Sequence, residues 1–151
     1  MDGAMTDVDP FVVVAVDETT NAKTGIVTRS PVYSRLSEVK AARAAELQQQ
    51  IRDHVDTHLP PSEREALSAL MQRTMLQRLL GAPVDEGASL ALVMTLGWAE
   101  AALIAGDDAA QACAQAATIE ALQAITVDLD KLGAPPKITA GEIARALRSN
   151  P

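Results

Sequence analysis

The sequence predicts a mainly α-helical fold, a bundle of four or five helices carrying an N-terminal β-hairpin arm. Two observations predict it. Ala88–Ala105, ASLALVMTLGWAEAALIA, is an 18-residue apolar run with one charge, Glu100, and the only tryptophan, Trp98. Phe11–Asp17, FVVVAVD, is a β-branched run with turn residues behind it. The expected division is an acidic tail and arm over residues 1–33 and a helical domain over residues 34–151.

The arm comes first in the chain. Phe11–Asp17, a turn at ETTNAK (Glu18–Lys23) and TGIVTR (Thr24–Arg29) read as a hairpin with a longer loop. Strict alternation would place Phe11, Val13 and Ala15 on one face and Val12, Val14 and Val16 on the other. Both faces are apolar, and a lone two-stranded hairpin is marginal in water. No third strand is evident downstream. Either the helices cover one face and something else the other, or strands of another chain complete the sheet. Pro31 is expected to end the strand pattern.

A helix is expected from Ser34 to the Pro60–Pro61 stop. Leu36, Val39, Leu47, Ile51 and Val55 form a narrow stripe that Arg43 interrupts. Ser62 and Glu65 form a capping box for a second helix, which ends at Gly81. Pro83, Asp85 and Glu86 then open the central helix, with the acids where its dipole favours them. Within it Leu92, Leu96, Ala99 and Leu103 share a face, while Val93, Trp98 and Ile104 lie off it. A helix apolar nearly all round needs cover on several sides. Its uncharged part, Gly87–Ala99, is 13 residues, against about 20 for a bilayer core, so a buried helix is expected and no membrane span. Gly97 leaves room for a neighbouring side chain. Gly106 is expected to end this helix and Asp107 or Asp108 to cap a fourth, reaching about Leu132. Ile138-Thr139-Ala140-Gly141-Glu142-Ile143 combines a capping box with an Ile138/Ile143 staple for a short last helix.

Composition narrows the function. The net charge of −7 repels phosphate backbones, so nucleic-acid binding is disfavoured. With one Phe, one Tyr and one Trp, base-stacking platforms are missing. Ile138–Pro151 is similar to the first helix of a helix-turn-helix unit, but no recognition helix follows it. The single Cys113 allows no internal disulfide and reads as a small buried hydrophobe. The acidic start has no apolar signal segment, so the chain is expected in the cytoplasm as synthesised.

Candidate chemistry is sparse. His54 and His58 stand four apart on a helix and could share a metal. Val55 stands where the H-E-x-x-H motif has Glu, and further ligands would have to come from elsewhere. The expectation is two solvated histidines, with a small metal-dependent enzyme as a lesser alternative. Asp107–Asp108 and Asp128–Asp130 read as a cap and a solvated face. Neither a Gly-rich phosphate loop nor a G-x-S-x-G motif is present. No enzyme activity, cofactor or small-molecule substrate is expected.

An acidic start, the arm FVVVAVDETTNAKTGIVTRSPVY and a body ending in GWAEAALIAGDDAAQACAQAATIEALQAI together resemble small structural and accessory proteins of tailed bacteriophage particles and related contractile injection systems. The resemblance is one of style over most of the chain and assigns no residue. It implies a subunit that joins neighbours through its arm and ends up in a virion. The hairpin argument reaches assembly on its own: strand pairing by Phe11–Val16 buries Val12, Val14 and Val16, with Phe11 and Tyr33 as anchors. The alternative is a regulatory adaptor or inhibitor that binds one protein through helix faces.

Overall fold

The computed structural model describes residues 9–149. The chain is mainly helical, 64%, with one antiparallel two-stranded sheet and six helices among the described residues. The order is β1 (Phe11–Thr20), β2 (Val27–Arg35), α1 (Leu36–His58), α2 (Pro61–Leu79), α3 (Glu86–Gln115), α4 (Ile119–Gln123), α5 (Leu129–Leu132) and α6 (Ala140–Ser149). Two compact units are present. One joins the residues up to Leu47 with Asp108–Thr126, the other Gln48–Asp107 with the residues from Val127.

In the first unit both strands run further than the sequence suggests. Pro31 does not end β2, which continues to Arg35. A two-stranded sheet has only edge strands, and there a proline is tolerated. The turn is tighter than ETTNAK: Asn21 accepts from the amides of Lys23 (2.9 Å) and Thr24 (3.3 Å), and Gly25 takes a positive φ of 72°, which glycine adopts without Cβ strain. Leu36 and Leu47 of α1, Ala109 and Cys113 of α3, and Leu122 of α4 are this unit's buried apolar side chains, with Ala116. Arg43, which breaks the apolar stripe of α1, donates to the Ile125 carbonyl at 2.8 Å and pairs with Glu46 at 3.0 Å.

The second unit holds one apolar core. Ile51 and Val55 of α1, Leu59 just after it, Leu67 of α2, Leu92 and Ala99 of α3, and Ile143 of α6 are its main buried members. The hydroxyls of Thr74 and Thr95 are buried too, and each donates back to the carbonyl one turn earlier, Leu70 (2.8 Å) and Ala91 (2.7 Å). Such bonds satisfy a hydroxyl without a tertiary partner. Length and composition would let α3 cross a membrane, and its Ala88, Leu92, Ala99 and Ala102 side belongs to this core.

Helix boundaries separate cleanly by cause. The Thr139–Glu142 capping box is present in both directions, each bond 3.1 Å. Asp85 accepts from the Ala88 amide at 2.8 Å, and Gly81 closes α2 at φ 76°. Ser62 does not cap α2: Pro61 takes the first helical position and no side-chain cap bond forms. Glu63 instead reaches the Ala140 amide at the start of α6. Gly106 does not end the central helix. It is buried inside α3, where a Cβ would lie 3.4 Å from Ile51 Cδ1, so its smallness serves the approach of α1. The expected fourth helix, 107–132, is three pieces. Its first part belongs to α3, Thr118 starts α4 by accepting from Ala121 N, and Asp128 starts α5 by accepting from the amides of Asp130 and Lys131.

Candidate functional site

The arm is where exposed apolar side chains and open backbone coincide. β1 pairs only with β2, so its outer edge meets no strand among the described residues. The register runs Phe11↔Arg35, Val12↔Ser34, Val13↔Tyr33, then Ala15↔Val32 and Val16↔Pro31. Val14 is the extra residue of a bulge between Val13 and Ala15. A bulge sets two residues of one strand against one of its partner and resets the alternation beyond it. Phe11, Val13 and Val16 therefore share one face with Tyr33, and Val12, Ala15 and Val32 share the other.

Burial follows this division near the base of the arm. Val12, Val32 and Ser34 are half-buried, while Phe11, Val13, Val16 and Tyr33 are exposed, Phe11 at 61% and Tyr33 at 58%, and so is Ala15 further out. Val14 lines a groove with Val39, Ala42 and Arg43 of α1 and Ile119 and Leu122 of α4. The expected trio of Val12, Val14 and Val16 is thus divided by one inserted residue. Of the five anchors named from the sequence, Phe11, Val16 and Tyr33 lie together on the open face. Val12 and Val14 do not, and Val13 joins that face unannounced. A run of four valine and phenylalanine residues carries no polar mark of register, so no sequence signal placed the bulge.

The base of the arm is tied to the helices. Asp9 accepts from the Ser37 amide (2.8 Å) and the Ser37 hydroxyl (2.7 Å), which caps α1 from 28 residues away. Leu36 N donates to the Pro10 carbonyl at 2.8 Å, and Arg35 donates to the Asp9 carbonyl at 3.2 Å while its guanidinium lies 4.4 Å from the Phe11 ring centroid. Further out, Glu18 and Arg29 pair across the ladder at 2.7 Å.

The two Ser37 bonds, the hydroxyl's first, hold the Asp9 carboxyl below the usual aspartate value of 3.8. A carboxylate with a lowered folded value contributes its stabilisation above the unfolded value, and loses it as pH falls through the folded one. The base of the arm is therefore expected to keep its Asp9–Ser37 bonds down to about pH 3.8 and to lose them below. Ser37 amide shifts followed by NMR through acid titration check this. The same step persisting in Asp9→Asn would refute it.

The two histidines are brought together with Trp98. Their ring centroids are 4.7 Å apart, and each lies 5.9 Å from the Trp98 ring. His54 Nε2 is 2.9 Å from the Gly133 carbonyl oxygen, and the nearby Asp53 carboxylate accepts from Gln49 at 2.8 Å. Among the described residues, no group of three or more His, Cys, Asp or Glu is placed to hold a metal. This aromatic cluster joins α1, α3 and the end of α5. Cys113 is fully buried. Comparison of the chain with protein-family models, with curated proteins and with solved structures returned no match.

Proposed function

We propose that this chain is a non-catalytic assembly subunit that joins its neighbours through the N-terminal arm. The observation that carries the reading is the open face of the hairpin, Phe11, Val13, Val16 and Tyr33, beside an outer β1 edge that no described strand covers. Such an edge is a template for pairing with another chain, and the aromatic pair on its face supplies anchors. Arg35 against Phe11 adds a cationic rim. In this reading the helices are the bundle that carries the arm, and the Asp9–Ser37 cap holds the arm at a fixed angle. The style-level likeness to phage-particle accessory proteins fits the same role, a subunit of a larger particle.

The test is solution mass by light scattering coupled to size-exclusion chromatography. The full chain is expected to run as a multimer. Val13→Glu with Val16→Glu is expected to lower the mass by a whole-number factor, because two charges on the joined face weaken association on the order of 100-fold or more. Deleting residues 1–30 is expected to do the same and leave a helical circular-dichroism spectrum. A full chain that is monomeric, or variants with unchanged mass, would sink the reading.

A further inference from the structure

The central helix carries a second exposed feature, in the other unit. Leu90, Met94, Gly97, Ala101 and Ile104 follow one another at spacings of four, three, four and three, and all five are exposed. That is the spacing of a helix–helix seam. It runs about 21 Å along α3 at 1.5 Å per residue. Val93 flanks it, also exposed. The core face of the same helix, Ala88, Leu92, Ala99 and Ala102, points elsewhere. A soluble helix normally puts charge on the side away from its core.

Gly97 sits at the middle of this seam. Glycine in a helix interior costs about 1 kcal/mol relative to alanine, and packing among the described residues gives no reason for it, since a Cβ there would meet none of them within 4 Å. This corrects the expectation that Gly97 makes room for an intrachain neighbour. The space beside Gly97 is open to something that approaches from outside.

We infer that α3 pairs with α3 of a second copy of this chain, antiparallel, about a two-fold axis at Gly97. The seam is nearly symmetric about that residue: Leu90 lies seven before it and Ile104 seven after, Met94 three before and Ala101 four after. An antiparallel copy therefore sets Leu90 against Ile104, the long Met94 against the small Ala101, and glycine against glycine. Self-complementarity of one patch is the requirement of a two-fold interface, and small central residues let helix axes come close. The surface widens onto α2. Met71 lines a groove with Val93 and Gly97, Arg78 bonds Glu86 (3.1 Å) and Ser89 (2.9 Å), and Met75, between Met71 and Arg78 in α2, is exposed. Leu79, 83% exposed, extends it. These side chains and the seam expose on the order of 700 Å² of apolar surface, near the ~800 Å² that one partner gives a standard interface. Arg78 and Glu86 enter it already paired, while Glu100, exposed on the Met71 groove, has Arg64 among the residues that line that groove with it. The contact is independent of the arm, and two self-contacts on one subunit build assemblies larger than a dimer.

Two variants of the full chain test it. In Gly97→Glu the added Cβ meets nothing within 4 Å among the described residues and the change favours the helix, but it sets like charges at the axis. Sedimentation equilibrium is expected to show at least about a 100-fold weaker dimer, with unchanged circular dichroism. Gly97→Cys is expected to give a covalent dimer on mild oxidation, since Cys113 is buried and the two introduced thiols face each other. Gly97→Glu with the wild-type mass, or Gly97→Cys without a cross-link, overturns the pairing. So does wild-type protein that is monomeric at this face and pellets with phosphatidylcholine vesicles, which would assign the seam to a bilayer. Val13→Glu with Val16→Glu separates the two contacts: if it changes nothing while Gly97→Glu dissociates the protein, the arm reading fails and this one stands.

Discussion

Truncating Leu92 to alanine is expected to destabilise the protein by about 3 kcal/mol, within the 2–5 kcal/mol range of buried leucines. Leu92 is 0% exposed and lies in the core with Ile51, Val55, Leu67 and Ile143. Four helices contribute to that cluster, so the void left by the isobutyl group is walled on several sides and collapses poorly. Whole domains are stable by only about 5–15 kcal/mol, and the loss should lower Tm by roughly 10 °C for a chain of this size. Urea denaturation checks it: the midpoint should fall with little change in slope. Leu90, two residues earlier and 59% exposed, is the control. Leu90→Ala measured on dissociated protein should change stability by no more than about 0.5 kcal/mol. Equal effects at the two positions would mean that the burial difference along α3 is wrong.

The contrast between Leu92 and Leu90 also shows how much was legible in the sequence. Signals made by a few adjacent residues were readable: the Thr139–Glu142 box, the Gly81 stop, the Asp85 start and the β-branched strand. Each is decided by backbone groups within one turn, so its residues carry the answer. The central helix was readable as a helix, but not its length or its open side. Gly106 has the residue type of a stop, and only the approach of Ile51 makes it a packing site. The expectation that a helix apolar nearly all round is covered on several sides does not extend to the side of Leu90, Met94 and Ile104, which is exposed, because apolarity states a need for cover without saying which chain provides it. The fourth helix failed differently. Thr118 and Asp128 each compete for backbone amides as caps, and an apolar period running through them masked both breaks.

The arm shows the same limit at the candidate site. Its existence and its two-sided apolar character were legible. The faces were not, because one inserted residue at Val14 moves Val16 from the face of Val12 to that of Phe11 and Val13. A period of two keeps its phase only while the ladder is unbroken. His54 and His58 were legible as a pair on one helix face. That they adjoin Trp98, 40 or more positions on, depends on how α1 meets α3.

That aromatic cluster sets the second large effect. Trp98→Ala is expected to cost about 3 kcal/mol and to release the segment from Asp128 to Lys137. α5 has four residues, far too few to hold itself as a helix. Its start is capped by Asp128. The carbonyls at its end, which no intrahelical amide can satisfy, are taken by side chains from elsewhere: Trp98 Nε1 donates to the Leu132 oxygen at 2.7 Å, and His54 Nε2 lies 2.9 Å from that of Gly133. Gly133 holds a φ of 64° there, a conformation that glycine adopts freely. Removing the indole takes away both a large packed ring and the donor. Trp98→Phe removes mainly the donor and should cost about 1–2 kcal/mol, the penalty of a part-buried carbonyl left unbonded. Hydrogen exchange distinguishes local from global loss. In Trp98→Phe the amides of residues 129–133 should exchange faster while those of Leu67 and Leu92 keep their protection. If the two variants cost the same, the ring packs without its bond mattering. If neither speeds exchange at α5, the indole is not what holds that turn.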